Sequence, residues 1–281
     1  MSFQKATIDR EVLISGNGLH TGQPVKICFK PADPDTGITF IRTDLPGCPD
    51  IQSSPDLYCS GAGRRSVIGN TAVQIDTTEH LFAALWGLGI TDIRIEADGA
   101  ELPALDGSSA EFYRVLSEGG IRLFDTPSRP VEISGPLFVS ANKAAILALP
   151  SDSLKITYTL DYPHQQLRQT VFSSRIDRDF FIKEIASART FCTKSEADAL
   201  LAAGYGKGAN TENTLVIDEA GPVDNRLKWA DECARHKVLD LLGDISVLGS
   251  DIRVHFIAIR SGHDLNHQMV KKIAHQTRSL V

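Results

Sequence analysis

The chain has 281 residues, 42% hydrophobic and 23% charged, with a formal net charge of −6. That balance is ordinary for a globular protein with a sizeable core, and the length suggests about two domains. The acidic sum excludes a general polyanion binder, so no nucleic-acid partner is expected, while a local basic pocket for a phosphate remains compatible with it.

The first residues, Met1 to Thr7, carry no apolar run and no cleavage site. No export signal is expected, and no stretch is long and apolar enough to span a membrane. Five cysteines (Cys28, Cys48, Cys59, Cys192 and Cys233) are scattered and odd in number, without a C-x-x-C pair. They argue against a zinc ribbon or a disulfide framework and for reduced thiols in a cytoplasmic protein.

Residues 6–42 read as β structure, broken by the Gly-rich turn Gly16 to Gly22, in which His20 reads as a site residue or a loop residue with a local hydrogen bond. Residues 44–62 have loop composition. Asp76-Thr77-Thr78-Glu79 reads as a helix start with a cap and a Glu three residues on. Leu81, Phe82, Leu85 and Leu88 then form a helical apolar stripe that Gly87 and Gly89 end. Taken alone, Glu79 is a capping partner and His80 a satisfied core histidine. A strand follows at Ile93 to Ala97, then a turn-rich loop from Glu101 to Ser109 and a helix to about residue 118. Phe124 to Pro130 has linker composition, and the domain boundary is placed there, giving domains 1–126 and 127–281.

In the second half, Leu154, Ile156, Tyr158 and Leu160 alternate with polar residues, as in a half-buried strand. Residues 178–203 are helical in pattern, interrupted at 188–192. Leu215 to Ile217 reads as a short buried strand. Trp229 begins a helix that carries His236, Asp240 and Asp244 four residues apart, hence on one face, with Val238, Leu239, Leu242 and Ile245 opposite. Alone, such a stripe also reads as a solvated helix face. Ile252 to Ile259 is a strand ending in the turn Ser261-Gly262-His263, and a last helix runs from about Leu265 to Ala274. Strands and helices come in mixed order in both halves, which argues for α+β over a doubly wound sheet.

Three places thus offer ligands or proton carriers: Glu79-His80, the 236/240/244 stripe, and His263. Two histidines and one carboxylate leave a fourth tetrahedral position open, the pattern of a catalytic zinc site. Bound zinc lowers the pKa of water from 15.7 to roughly 7. A neighbouring carboxylate can then take a proton, and a further histidine can protonate a leaving group.

Six stretches, Gly18-Leu19-His20-Thr21-Gly22, Thr78-Glu79-His80-Leu81, Leu105-Asp106-Gly107-Ser108, Ala188-Arg189-Thr190-Phe191, Arg235 to Asp240 with Gly243-Asp244, and Ser261-Gly262-His263, resemble in order and spacing the UDP-3-O-acyl-N-acetylglucosamine deacetylases. These are the zinc amidases of lipid A synthesis in Gram-negative bacteria. The resemblance implies His80, His236 and Asp240 as metal ligands for zinc, with iron(II) able to occupy the same set. It implies Glu79 as general base, His263 as general acid, Asp244 as the partner orienting His263, Thr190 as oxyanion donor, and Lys237 as positive charge near the intermediate or the substrate head group. It further implies two α+β domains of similar topology, each a helix layer on a sheet, with the active site between them. An insert at about 191–216 would form an apolar passage for the substrate's acyl chain, including Phe191, Ala197, Leu200 and Val216. The expected partner is a small nucleotide-sugar lipid, and a monomer is expected.

The chain departs from the family pattern at Gly208-Ala209-Asn210-Thr211-Glu212-Asn213 and at Ile90-Thr91-Asp92. Both spare the catalytic groups and bear on acyl length and substrate choice. Two other readings stand beside this one: a non-heme iron(II) enzyme, since its facial triad also uses two histidines and a carboxylate, and a non-catalytic nucleotide-sugar or lipid binding homologue.

Overall fold

The computed structural model describes residues 3–61 and 63–278. One position of the expected 44–62 loop and the outer ends of the two expected domains lie outside the described residues. The fold is α+β. The first half runs through β1 (Gln4–Ile8), β2 (Val12–Asn17), β3 (Pro24–Pro31), β4 (Ile38–Arg42), β5 (Asp50–Gln52), β6 (Val67–Gly69), β7 (Gln74–Asp76), α1 (Glu79–Leu88), β8 (Ile93–Ala97), α2 (Ala110–Glu118) and β9 (Ile121–Pro127). The second half opens with β10 (Val131–Glu132), β11 (Leu137–Ala141), β12 (Ala144–Pro150), β13 (Lys155–Leu160), β14 (Thr170–Arg175) and α3 (Arg178–Phe180), which passes into a π-helical stretch at Phe181–Ile185. It continues through β15 (Phe191–Thr193), α4 (Lys194–Ala202), β16 (Leu215–Asp218), β17 (Gly221–Pro222), α5 (Glu232–Ser246), β18 (Ile252–Ile259) and α6 (His263–Arg278).

Two large sheets share one plan. The first has the order β2-β3-β8-β4-β5, and the second β11-β12-β18-β13-β14, with β10 also paired to β18. In each, the central strand pairs antiparallel to the second strand of that order and parallel to the fourth. Alternation sets the buried faces: Ile156, Tyr158 and Leu160 of β13 and Val254, Phe256 and Ala258 of β18 point into the core, as period two requires. One helix precedes each central strand, α1 before β8 and α5 before β18, and these two helices pack together. Their approach depends on Gly243, where a Cβ would stand 2.1 Å from the Glu79 carbonyl oxygen.

Several elements differ from expectation. The expected linker, 124–130, begins inside β9, which returns antiparallel to β1. Its side chains are mostly exposed, so it has a surface strand's polar composition and is held by backbone pairing. The expected loop at 44–62 contains β5 and a short 3₁₀ turn at Pro55–Leu57. The interrupted helical stretch at 178–203 is α3, its π-helical continuation and α4, with strand β15 between. Together β15, α4 and the parallel strand β16 form a small βαβ unit, whose helix starts in a capping box between Thr193 and Glu196. The helix expected from Trp229 begins at Glu232, because the Glu232 carboxylate turns back to accept from the Lys228 backbone and from Arg189. The last helix starts earlier and ends later than expected, at His263 and Arg278.

Candidate active site

Glu79 and His80 are the first two residues of α1. Thr78 makes no side-chain cap there, and Glu79 does not bond back to the helix start; its Oε2 accepts instead from the Ser66 backbone N–H at 3.1 Å. Just upstream, Thr77 sits at φ 62°, a left-handed conformation costly for a β-branched residue, of order 1–3 kcal/mol. The stripe expected on α5 is buried: His236, Asp240 and Asp244 are at most 3% exposed. The solvated-face reading therefore fails, because α5 is enclosed on its other sides as well, with Val238, Leu239, Leu241 and Leu242 fully covered.

The crossing of α1 and α5 brings His80, His236 and Asp240 together, with one ligand atom from each inside a common 4.8 Å. The Nε2 atoms of His236 and His80 lie 3.3 and 3.7 Å from Asp240 Oδ1. His236 Nδ1 faces the Ala188 carbonyl at 3.0 Å, so its proton belongs on that nitrogen and Nε2 carries the lone pair. Burial lowers the His236 pKa to about 4, more than Asp240 raises it, so the imidazole is neutral, as a ligand must be. Burial works against charge on Asp240 too, but His236 and Lys237 outweigh it and hold the carboxyl well below its usual range. Lys237 Nζ lies 2.6 Å from Asp240 Oδ2. Burial opposes charge on His80 as well, but Asp240 and Glu79 outweigh it and raise its pKa. Two imidazoles, which ligate in the neutral form, and one ionised carboxylate suit zinc, and iron(II) accepts the same donors.

The second group adjoins the first. His263 Nε2 lies 3.7 Å from Glu79 Oε1, and His263 Nδ1 is 2.9 Å from Asp244 Oδ2. Burial raises the Glu79 pKa, partly offset by His263 and His80. Burial also opposes the charge on His263, but Asp244 and Glu79 prevail and raise its pKa to about 9. A carboxylate pushed up and an imidazole pushed up, side by side, make a base and an acid usable near neutrality.

Both groups meet a cavity of about 410 Å³. His236, Lys237, Asp240 and His263 line it together with the expected passage residues Phe191, Ala197, Leu200 and Val216. Thr190 lines it too; it stands at the entry to β15, its N–H donated to the Gly107 carbonyl. Its neighbour Arg189 is fixed by Glu232 at 2.8 Å.

Sequence reading missed Ser66, Asn266 and His267, which surround Asp244. The last two stand three and four residues after His263, so extending α6 back to His263 puts all three on one face. Ser66 carried no local signal. His20 is buried and lines the cavity, its N–H given to Glu101 and its ring edge-on to Tyr205.

Buried N, N and O donors beside a spare carboxylate and an imidazole are the side-chain complement of a metallohydrolase. The sequence profile of the UDP-3-O-acyl N-acetylglycosamine deacetylase family matches residues 5–275. Proteins called UDP-3-O-acyl-N-acetylglucosamine deacetylase are similar throughout: one from Bdellovibrio bacteriovorus is 35% identical over 96% of this chain and 90% of its own length. Another, from Leptospira biflexa, is 34% identical over 98% and 91%, and one from Myxococcus xanthus is 35% identical over 97% and 87%. The chain belongs to the UDP-3-O-acyl-N-acetylglucosamine deacetylase family, and it is a hydrolase.

Proposed function

We propose that the chain removes acetate from UDP-3-O-(3-hydroxyacyl)-N-acetylglucosamine in a zinc-dependent amide hydrolysis, the committed step of lipid A synthesis. The observation that carries this is the Glu79–His263 pair, set against the His80, His236 and Asp240 donors beside an apolar cavity. We read the two sheets and their helices as domains 1–126 and 127–281, meeting where α1 packs on α5. When bound by His80, His236 and Asp240, zinc would act as Lewis acid and lower the pKa of a water.

Glu79 takes the proton of the attacking water. As the acetamide carbonyl becomes tetrahedral, Thr190 donates to its oxyanion and Lys237 adds positive charge; one such donor can be worth about 3 kcal/mol. His263 delivers its Nε2 proton to the departing glucosamine nitrogen, while Asp244 holds Nδ1 and keeps Nε2 aimed at the reacting centre. Phe191, Ala197, Leu200 and Val216 receive the acyl chain. Both ligand-bearing elements are helices, whereas the iron(II) facial triad sits on barrel strands, which favours the hydrolase over the oxygenase. A binding homologue has no use for an acid and a base within reach of each other.

Acetate release from the UDP-sugar, measured with the metal content of the same preparation, tests the reading. Glu79→Ala should keep its metal and lose turnover by about 10²–10⁴-fold, whereas His236→Ala should lose the metal. A Glu79→Ala protein as active as its parent would remove Glu79 as the base.

A further inference from the structure

Ser66 lies just before β6 and is fully buried. Its backbone faces the start of α1: the N–H donates to Glu79 Oε2 at 3.1 Å, and the carbonyl accepts from the Thr78 N–H at 3.2 Å. Its hydroxyl faces the other way. It donates to Asp244 Oδ1 and lies 3.0 Å from His263 Nδ1 and 2.8 Å from His267 Nε2.

The protons can be assigned. His267 Nδ1 is buried and has no hydrogen-bond partner among the described residues, so its proton belongs on Nε2, which points at Ser66 Oγ and at Asp244 Oδ1, 3.3 Å away. The stack of the His267 ring on Tyr58, centroids 3.8 Å apart and 8° between planes, fixes that orientation. The single Ser66 proton then goes to Asp244, and Oγ is free to accept from the imidazoles. Asp244 Oδ2 is left to His263 Nδ1 at 2.9 Å and the Asn266 amide at 2.7 Å.

We propose that Ser66 is a positioning residue that locks the base and the acid into one frame, its N–H holding Glu79 and its hydroxyl holding the Asp244–His263–His267 cluster. The inference rests on the roles given to Glu79 and His263 above. His267 acts one step further out: it occupies Ser66 Oγ, so that the hydroxyl proton turns to Asp244.

The test is steady-state kinetics of the metal-replete enzyme on the UDP-sugar, with metal content and melting temperature alongside. Ser66→Ala keeps the N–H on Glu79 and deletes the hydroxyl alone. Its kcat should fall about 10–100-fold, the usual cost of removing an orienting partner, with KM within about twofold of the parent and metal content unchanged. His267→Phe keeps the ring stacked on Tyr58 and removes Nε2; it should lower kcat several-fold. The double variant should be no worse than Ser66→Ala, because the two losses share one path. A Ser66→Ala kcat equal to the parent's, a loss confined to KM, or losses that multiply in the double variant would overturn the proposal. If Ser66→Ala does not fold, His267→Phe decides, an unchanged kcat counting against. Glu79→Ala is run in parallel: were it active, the acid–base reading itself falls; were it dead beside an unimpaired Ser66→Ala, only the positioning role falls.

Discussion

At the scale of single residues, the centre is governed by a contest between burial and pairing. Burial alone would strip the charge from His263, yet Asp244 and Glu79 raise its pKa to about 9. Burial does prevail at His236, where the pKa drops to about 4, although Asp240 stands close by. The difference lies in the carboxylates each ring faces. Asp240 is the carboxylate beside His236, at 3.3 Å, whereas His263 has Asp244 at hydrogen-bond distance and both Glu79 and Asp240 beyond. On the roles proposed for Glu79 and His263, the pH dependence has a definite sign. Glu79 must be ionised to take a proton, so the rate rises as pH climbs through its raised pKa. His263 must be protonated to give one, so the rate falls as pH climbs through its own. A cation on the adjacent ligands draws both values down, and the basic limb should fall no later than about 9. A kcat/KM profile flat between roughly pH 5 and 9 would contradict the acid–base pair.

At the scale of elements, the site depends on how closely α1 and α5 pass. Gly243 is the contact point, and Gly243→Ala would drive a methyl into the Glu79 carbonyl. Overpacking of this kind costs about 1–3 kcal/mol. Here it should also part His80 from Asp240, so both the melting temperature and the metal content of Gly243→Ala should fall, read by thermal melts and metal analysis. A second brace is Arg189, clamped by the fully buried Glu232. Breaking such a pair from one side costs about 3–5 kcal/mol; Arg189→Ala should lose stability on that scale in urea melts. The helices themselves were legible, because Leu81, Phe82 and Leu85 and the opposing Val238, Leu239 and Leu242 repeat with helical period. Their closeness was not, since a glycine in a helix pattern reads as a flaw until its neighbour across the interface is known. The polar stripe on α5 was legible as a line of His236, Asp240 and Asp244 but not as a buried one. A four-residue spacing cannot say whether water or another helix covers it. Likewise β9 was hidden, because an exposed strand held by backbone pairing to β1 leaves no apolar alternation to read.

At the scale of the whole molecule, two sheets with one strand order place α1 and α5 in equivalent positions, and the donors come from both. The metal-ligand candidates and the proton carriers were within reach of sequence reasoning through ordered motifs. Ser66 was not, because a serine shows its worth only by what folds against it. What the repeated sheets do not supply is the βαβ unit of β15, α4 and β16, which lies between β14 and α5 where the first half carries the β6–β7 hairpin, and which walls the apolar part of the cavity with Phe191, Ala197, Leu200 and Val216. If this unit holds the acyl chain, its effect should grow with chain length and vanish without it. Ala197→Trp fills the passage while leaving the donors untouched. Each methylene excluded forfeits about 0.8 kcal/mol, so two displaced carbons already cost about tenfold in kcat/KM. The expected result is a loss of tenfold or more on a long-chain substrate, beside little change on a 3-O-acetyl analogue. Equal losses on both would place the acyl chain elsewhere, because a wall that does not touch the chain cannot tell its lengths apart.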